Sequence, residues 1–428
     1  MIFLLLASVL TAQDTLRLAA GVHPGPMVLE RSTVLQGEPG SVIRGDGTGT
    51  VLTVLGAGSV VRGVRVENSG RSADGDDAGI LVRADSVLIE DVVVQDVLFG
   101  IYLREARGSI VRRSSISGRA AAREGDRGDG ITLYSSPGTL VEDNVIIGVR
   151  DGIYFSYSDS AVVRGNRAER MRFGLHYMFS HENRFERNVF RHGAAGAVIM
   201  NSRGIAVEHN VFAWNTGSRS YGLLLQTATN PVVRENLFVG NGIGVFFDNV
   251  IGGQFEENLV AANWLGLQLY SNSESTSITG NALAANTFDA SGGAGEGYAF
   301  CVNGRGNHWA AATRGYDLDG DGRLDQPHSA GSPLMELARD RSSLRLFLTS
   351  PAASAMEWAE RTFPVFRVDL PVDECPLREA PKLEALASLG SAGGDGNGSG
   401  QWGAAGALLL MGGAGAGLMR RPRTVRAA

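Results

Sequence analysis

A glycine that opens a short alternating apolar stretch returns along this chain on a beat close to 22 residues. It heads GILVRA at Gly79, GIYLRE at Gly100, GITLYS at Gly130, GIYFSY at Gly152 and GLHYMF at Gly174. It returns in GAVIMN at Gly196, GLLLQT at Gly222, GVFFDN at Gly244 and GLQLYS at Gly266, giving intervals of 21, 30, 22, 22, 22, 26, 22 and 22. A second marker keeps the same time: Asn144, Asn166, Asn188, Asn210, Asn236, Asn258 and Asn281. A unit this short, holding two or three strands, cannot bury its own apolar face. Stacked in register it can, because each strand then pairs with the coil on either side, roughly 4.8 Å away. The pattern predicts an all-β chain: a single-stranded, right-handed parallel β-helix of roughly ten to twelve coils with a short helical C-terminal extension. The asparagine column reads as a turn residue that tolerates left-handed backbone and stacks into a side-chain ladder. The 30- and 26-residue intervals read as loop insertions at 118–129 and 215–220.

Composition adds direction. The formal charge of −6 and pI near 5.7 exclude the basic footprint of a nucleic-acid binder. The opening MIFLLLASVLTAQ reads as a signal peptide over 1–13, although it has no basic residue before its apolar run. The β-helix is expected over 14–300, an acidic loop segment over 301–330, a helical tail over 331–380 and a Gly-rich linker over 381–401. Residues 402–428 contain 18 uncharged positions followed by a basic cluster. They read as a membrane anchor or sorting tail, with a flexible Gly/Ala tail as the alternative. The body then lies outside the cytoplasm, and the two cysteines, Cys301 and Cys375, stand as a pair or as two free thiols.

Side chains alternate along a strand. The first and third residues after each marker glycine read inward as Ile153/Phe155, Leu175/Tyr177, Ala197/Ile199, Leu223/Leu225, Val245/Phe247 and Leu267/Leu269. The second and fourth then face outward, placing His176 and Met178 on one coil, Val198 and Met200 on the next, and Phe246 and Asp248 further along. His181 follows in the next turn. Three readings of this stripe stand together: cover by the chain's own C-terminal segment, a partner surface without metal, and a copper site, since thioether plus imidazole suits Cu(I).

Beyond the repeat, Asp317, Asp319, Asp321 and Asp325 form D-x-D-x-D-G-x-x-D, the front half of a calcium loop whose twelfth position is His328 rather than Glu. An acidic turn without metal is the alternative. Residues 332–348 and 351–363 read as two short helices rich in Leu, Phe and Trp, suited to capping the solenoid or docking on a partner.

The coil RFGLHYMFSHENRFERN, the stretch GVFFDN, then NHW followed by RGYDLDGDGRLD, and finally LRLFLTSP with AERTFPVF together resemble the NosD proteins over about 15–377. These are periplasmic β-helix proteins of nitrous oxide reductase maturation. The resemblance implies a protein standing on an ABC transporter made of a permease and an ATPase. It implies copper received from a lipoprotein chaperone and delivered for the copper–sulfide centre of nitrous oxide reductase. The His176–Met178 pair matches the family's His-x-Met coil, and the copper role carries onto those two alone. Met200, His181 and Asp248 rest on the geometry of the outward stripe. The glycine-rich hydrophobic tail departs from the family pattern, which speaks against a freely soluble periplasmic protein and leaves tethering at the inner membrane, through the permease or this tail, as an expectation. A non-catalytic maturation factor is therefore expected. The rival is a carbohydrate-binding or polysaccharide-modifying β-helix, with Tyr154, Phe246 and Tyr270 as sugar platforms and Asp248, Asp85 and Glu105 among its few outward carboxylates.

Overall fold

The computed structural model describes residues 14–119, 124–217, 220–292, 297–312, 315–331, 335, 347, 350–362 and 370–381. The expected signal peptide, the linker beyond 381 and the C-terminal tail lie outside them, as does nearly all of the expected helix over 332–348.

Among the described residues the chain winds through three parallel sheets of 13, 13 and 12 strands. The first sheet runs from Asp14–Leu18 to Tyr298–Ala299, the second from Gly21–Pro24 to His308–Trp309, and the third from Met27–Leu29 to Phe288–Gly292. Every neighbouring pair in them is parallel, with consecutive coils in register, so the chain is a parallel β-solenoid of about 13 turns. That exceeds the ten to twelve turns expected. The surplus lies at the two ends: the opening coils before Gly79 carry neither marker, and the last coil, at Trp309, carries only the asparagine, Asn307. The solenoid also runs past residue 300 to Trp309.

The beat has two physical causes. A Cβ on Gly174 would lie 2.5 Å from the Gly196 carbonyl oxygen and 2.6 Å from the Phe190 ring. Gly152, Gly196, Gly222 and Gly244 meet their neighbours in the same way. The column is glycine because adjacent coils approach too closely there for any side chain. The asparagines form an internal ladder: the Asn166 side chain donates to Asn188 Oδ1 at 3.0 Å and Asn188 donates to Asn210 Oδ1 at 2.9 Å. The left-handed backbone falls one residue before the ladder, at Asp143, Gly165, Arg187, His209, Glu235, Glu257 and Gly280, rather than on the asparagines. A second ladder, Asn215, Asn241, Asn263 and Asn286, stands at the next corner. The predicted inward pairs all lie in the core, each at most 1% exposed.

The C-terminal segment closes the far end. Val372–Asp373 pairs antiparallel with His328–Ser329. Asp373, fully buried, accepts from the Asn307 amide at 2.7 Å and the Trp309 indole at 2.8 Å, ending the first ladder with a carboxylate. Burial pushes that carboxyl up, against the hydrogen bonds it accepts. Cys301 and Cys375, 74 residues apart, form a disulfide across this cap. The helix Pro351–Thr362 seats Ala353 with Met335 against Leu265 and Phe288 on the outer face of the third sheet. Among the described residues, this cap is formed by 370–381.

Replacing both cysteines by serine removes a closed loop worth about 4 kcal/mol in the chain-entropy account. The expected result is early fraying of the last coil, read as faster amide exchange at Asn307 and Asn281 while Asn166 stays protected. Unchanged exchange at Asn307 would contradict this role for the bridge.

Candidate metal-handling site

The strand Phe173–Met178 carries His176 and Met178 on its outer side. In the register of the third sheet, Tyr154, His176 and Val198 form one column, and Ser156, Met178, Met200, Gln226 and Asp248 form the next. Met178 and Met200 are thus lateral neighbours on adjacent coils, roughly 4.8 Å apart at the backbone, and His176 lies about 7 Å along the strand from Met178. All three side chains are half-buried.

His176 is held in place. Its Nδ1 lies 2.8 Å from Asp151 Oδ2. Arg172 grips the same carboxylate with Nε at 2.9 Å and Nη2 at 2.5 Å. Burial pushes the Asp151 carboxyl up, but the hydrogen bonds from His176 and Arg172 outweigh it and hold the group below its ordinary range. Asp151 is therefore an anion that accepts, and Nδ1 carries the proton. In the neutral ring that leaves the lone pair on Nε2, the arrangement by which an outer carboxylate prepares a histidine as a ligand. Tyr154 and Phe173 meet the imidazole edge-on at 5.1 and 5.2 Å, which limits its rotation. On the preceding coil Asp129 is buried and paired with Arg150 at 3.1 Å. Burial, with Asp151 close by, pushes Asp129 up to about 6.

The other expected ligands are placed differently. His181 lies beyond a left-handed residue, Phe179, and its Nδ1 accepts from the Arg203 amide at 3.3 Å. Asp248 stands two coils past Met200, with one oxygen accepting from Gln226 at 2.8 Å and the other from Asn272 at 2.9 Å. The structure brings together His176, Met178 and Met200, and sets those two aside. Reading outward positions alone missed Asp151 and Arg172. A signal for them was present: Asp precedes the marker glycine at 129 and 151, and Arg stands two residues before it at 150 and 172.

The proposed sugar platforms do not form a flat surface. Phe246 is 9% exposed and meets Tyr270 at 72°. The exposed coplanar pair is Tyr157 and Phe179, stacked at 5.6 Å and 10° one residue past the methionine column.

In the acidic loop, side-chain oxygens of Asp317, Asp319 and Asp321 lie within 4.8 Å of one another. Asp325 is turned toward the loop, accepting from the Leu318 amide at 2.9 Å. His328 packs its ring against Trp309 at 5.0 Å instead of closing a cation site. Arg378 pairs with Asp317 at 3.2 Å, tying the loop to the cap.

A model of the family described as "Periplasmic copper-binding protein (NosD)" matches residues 113–314, which include the whole His/Met region. A Pseudomonas aeruginosa protein described as "Probable ABC transporter binding protein NosD" is 32% identical, with 86% of this chain and 89% of that protein aligned. Its Stutzerimonas stutzeri counterpart, under the same description, is 30% identical over 86% of this chain and 88% of its own length. Among solved structures, the A-module of the Azotobacter vinelandii mannuronan C-5 epimerase AlgE4 superposes with a TM-score of 0.55. It shares 15% identity, over 67% of this chain and 90% of the module, a likeness of fold.

Proposed function

The chain belongs to the NosD family, and from that premise we propose that it is a periplasmic accessory protein that hands copper, as Cu(I), toward the copper–sulfide centre of nitrous oxide reductase. It works with the permease and ATPase of an ABC transporter, receives its cargo from a lipoprotein chaperone, and is held at the inner membrane through the permease or its own C-terminal tail.

The observation that carries this reading is the Met178–Met200 pair on adjacent coils beside an imidazole whose Nδ1 is tied to Asp151. Two soft thioethers and one Nε2 make a low-coordinate set of the kind that binds Cu(I) and releases it again. The half-buried setting leaves one side open for transfer. A polysaccharide-acting enzyme would need carboxylates facing its substrate. On the coils beside His176, Asp129 and Asp151 are buried and engaged by Arg150, Arg172 and His176. That favours a binding role over a catalytic one.

The reading is tested in cells. A strain lacking this chain is expected to accumulate nitrous oxide reductase protein without the copper–sulfide absorption, restored by the wild-type chain. A mature centre in the deletion strain would end the proposal.

We also infer a structural Ca²⁺ at Asp317, Asp319 and Asp321, drawn from the clustered oxygens and the loop spacing. Calorimetry is expected to show millimolar or tighter Ca²⁺ uptake that Asp319→Ala removes. No heat with the wild type would rule the site out.

A further inference from the structure

In the N-terminal half, two long coils flank one that keeps the 22-residue beat. Along the first sheet, register partners Val60, Leu88, Ile110 and Leu140 are separated by 28, 22 and 30 residues. The surplus residues fall at the corner between the second and third sheets, where 69–77, Arg119 and 124–128 are described. These described residues form two walls on either side of one bare coil, whose Gln95–Phe99 stretch is the floor. The resulting cleft has a volume of about 930 Å³.

The walls are fixed to each other and to the floor. Arg119, from the second wall, donates to the Ser69 carbonyl and, at 3.2 Å, to the Gly70 carbonyl of the first. Its Nε also pairs with Asp96 on the floor at 3.2 Å. At the end of the second wall, a Cβ on Gly128 would lie 2.3 Å from the Leu98 carbonyl oxygen, so that loop is pressed onto the floor. A strut of three contacts and a glycine that only close approach explains make a formed pocket rather than a gap between loops.

Its lining sets the ligand chemistry. Four arginines line the cleft, Arg71, Arg119, Arg127 and Arg150, together with Asp96 and Asp126. Arg119 and Arg150 are engaged with Asp96 and Asp129, which fixes their planes. Arg71 stands exposed on the opposite wall. Leu98 and half-buried Phe99 give the floor an apolar part. Planar guanidinium forks match the oxygens of phosphate and carboxylate groups, and do so best where part of the surround is dry. An apolar floor below them suits an organic anion better than a bare ion. We propose that this cleft binds a small organic anion, a phosphate or carboxylate carried on an apolar body. The inference is independent of the copper reading, since neither Met178 nor Met200 lines the cleft.

Calorimetry on the full chain at low salt, in the presence of a metal chelator, tests it with two probes: phenyl phosphate and phthalate. At least one is expected to bind, with affinity falling as NaCl is raised. Arg71→Glu should weaken that binding at least 10-fold, and Arg71→Gln by less. Arg203→Glu, on a side chain 66% exposed and outside the cleft, serves as the charge control and should leave binding unchanged. Thermal melts of all three variants verify folding; Arg71 is an exposed wall residue, and the melts are expected to match wild type. Binding of one probe alone identifies the anionic group, and binding of both shows that the cleft accepts either. Heat from neither probe, or equal affinity in wild type and Arg71→Glu, would overturn the proposal.

Discussion

Asn188→Ala is expected to destabilise the solenoid by about 4 kcal/mol, among the larger effects of any single substitution here. The side chain is fully buried and its amide has no slack. Its nitrogen donates to the Val163 carbonyl and to Asn210 Oδ1, both at 2.9 Å. Its oxygen accepts from the Asn166 backbone and side-chain amides, both at 3.0 Å. Truncation strands donors and acceptors on the two neighbouring coils where water cannot reach them, each costing about 1–3 kcal/mol. The damage is local, because in a stacked repeat each coil touches only its neighbours. Urea unfolding should therefore show an earlier, broadened or divided transition. Arg203→Ala, on an exposed corner, should shift the midpoint by no more than about 0.5 kcal/mol. An Asn188→Ala protein that unfolds like wild type would mean that the ladder is ornament rather than the element that fixes coil register.

The second large effect concerns the metal. In anaerobic competition with a colorimetric Cu(I) chelator, the wild-type chain is expected to hold one Cu(I) ion. Met178→Ala/Met200→Ala should lower the affinity by about 100-fold or more, because a direct ligand costs at least what an outer partner does, about 10–100-fold. His176→Ala belongs in the same range. Asp151→Asn is the more informative variant, since it leaves all three ligands and removes the anion that keeps the Nδ1 proton in place. About a 10-fold loss is expected there, with an altered pH dependence of binding. His181→Ala and Asp248→Ala should bind as wild type does, because the structure gives both residues other partners. Wild-type affinity in the Met178/Met200 double variant would remove the copper site. Loss in His181→Ala would place the site around the turn instead.

Much of this molecule is legible in its sequence. The glycine and asparagine columns follow from contacts between identical positions one coil apart, so the spacing in the chain becomes spacing along the axis. Inward and outward faces followed from strand alternation, and the Met178–Met200 adjacency followed from aligning coils on their glycines. The opening coils carry neither marker and leave the count short, because their packing uses ordinary Val, Leu and Ile that any strand would show. Left-handed backbone was assigned to the asparagines, whereas it lies one residue earlier on residues as different as Arg187, His209 and Glu257. Side chains that differ so much leave no consistent mark there.

The sequence by itself determined the solenoid, its register and the columns in which candidate ligands stand, because a fixed period forces equivalent residues to be neighbours. Only the tertiary structure decided which of those neighbours act together. Asp151 and His176 lie 25 residues apart, and Cys301 and Cys375 74 apart. Whether such groups meet depends on side-chain direction at a corner and on where the chain returns after leaving the repeat. Neither is periodic, so neither could be read from the beat.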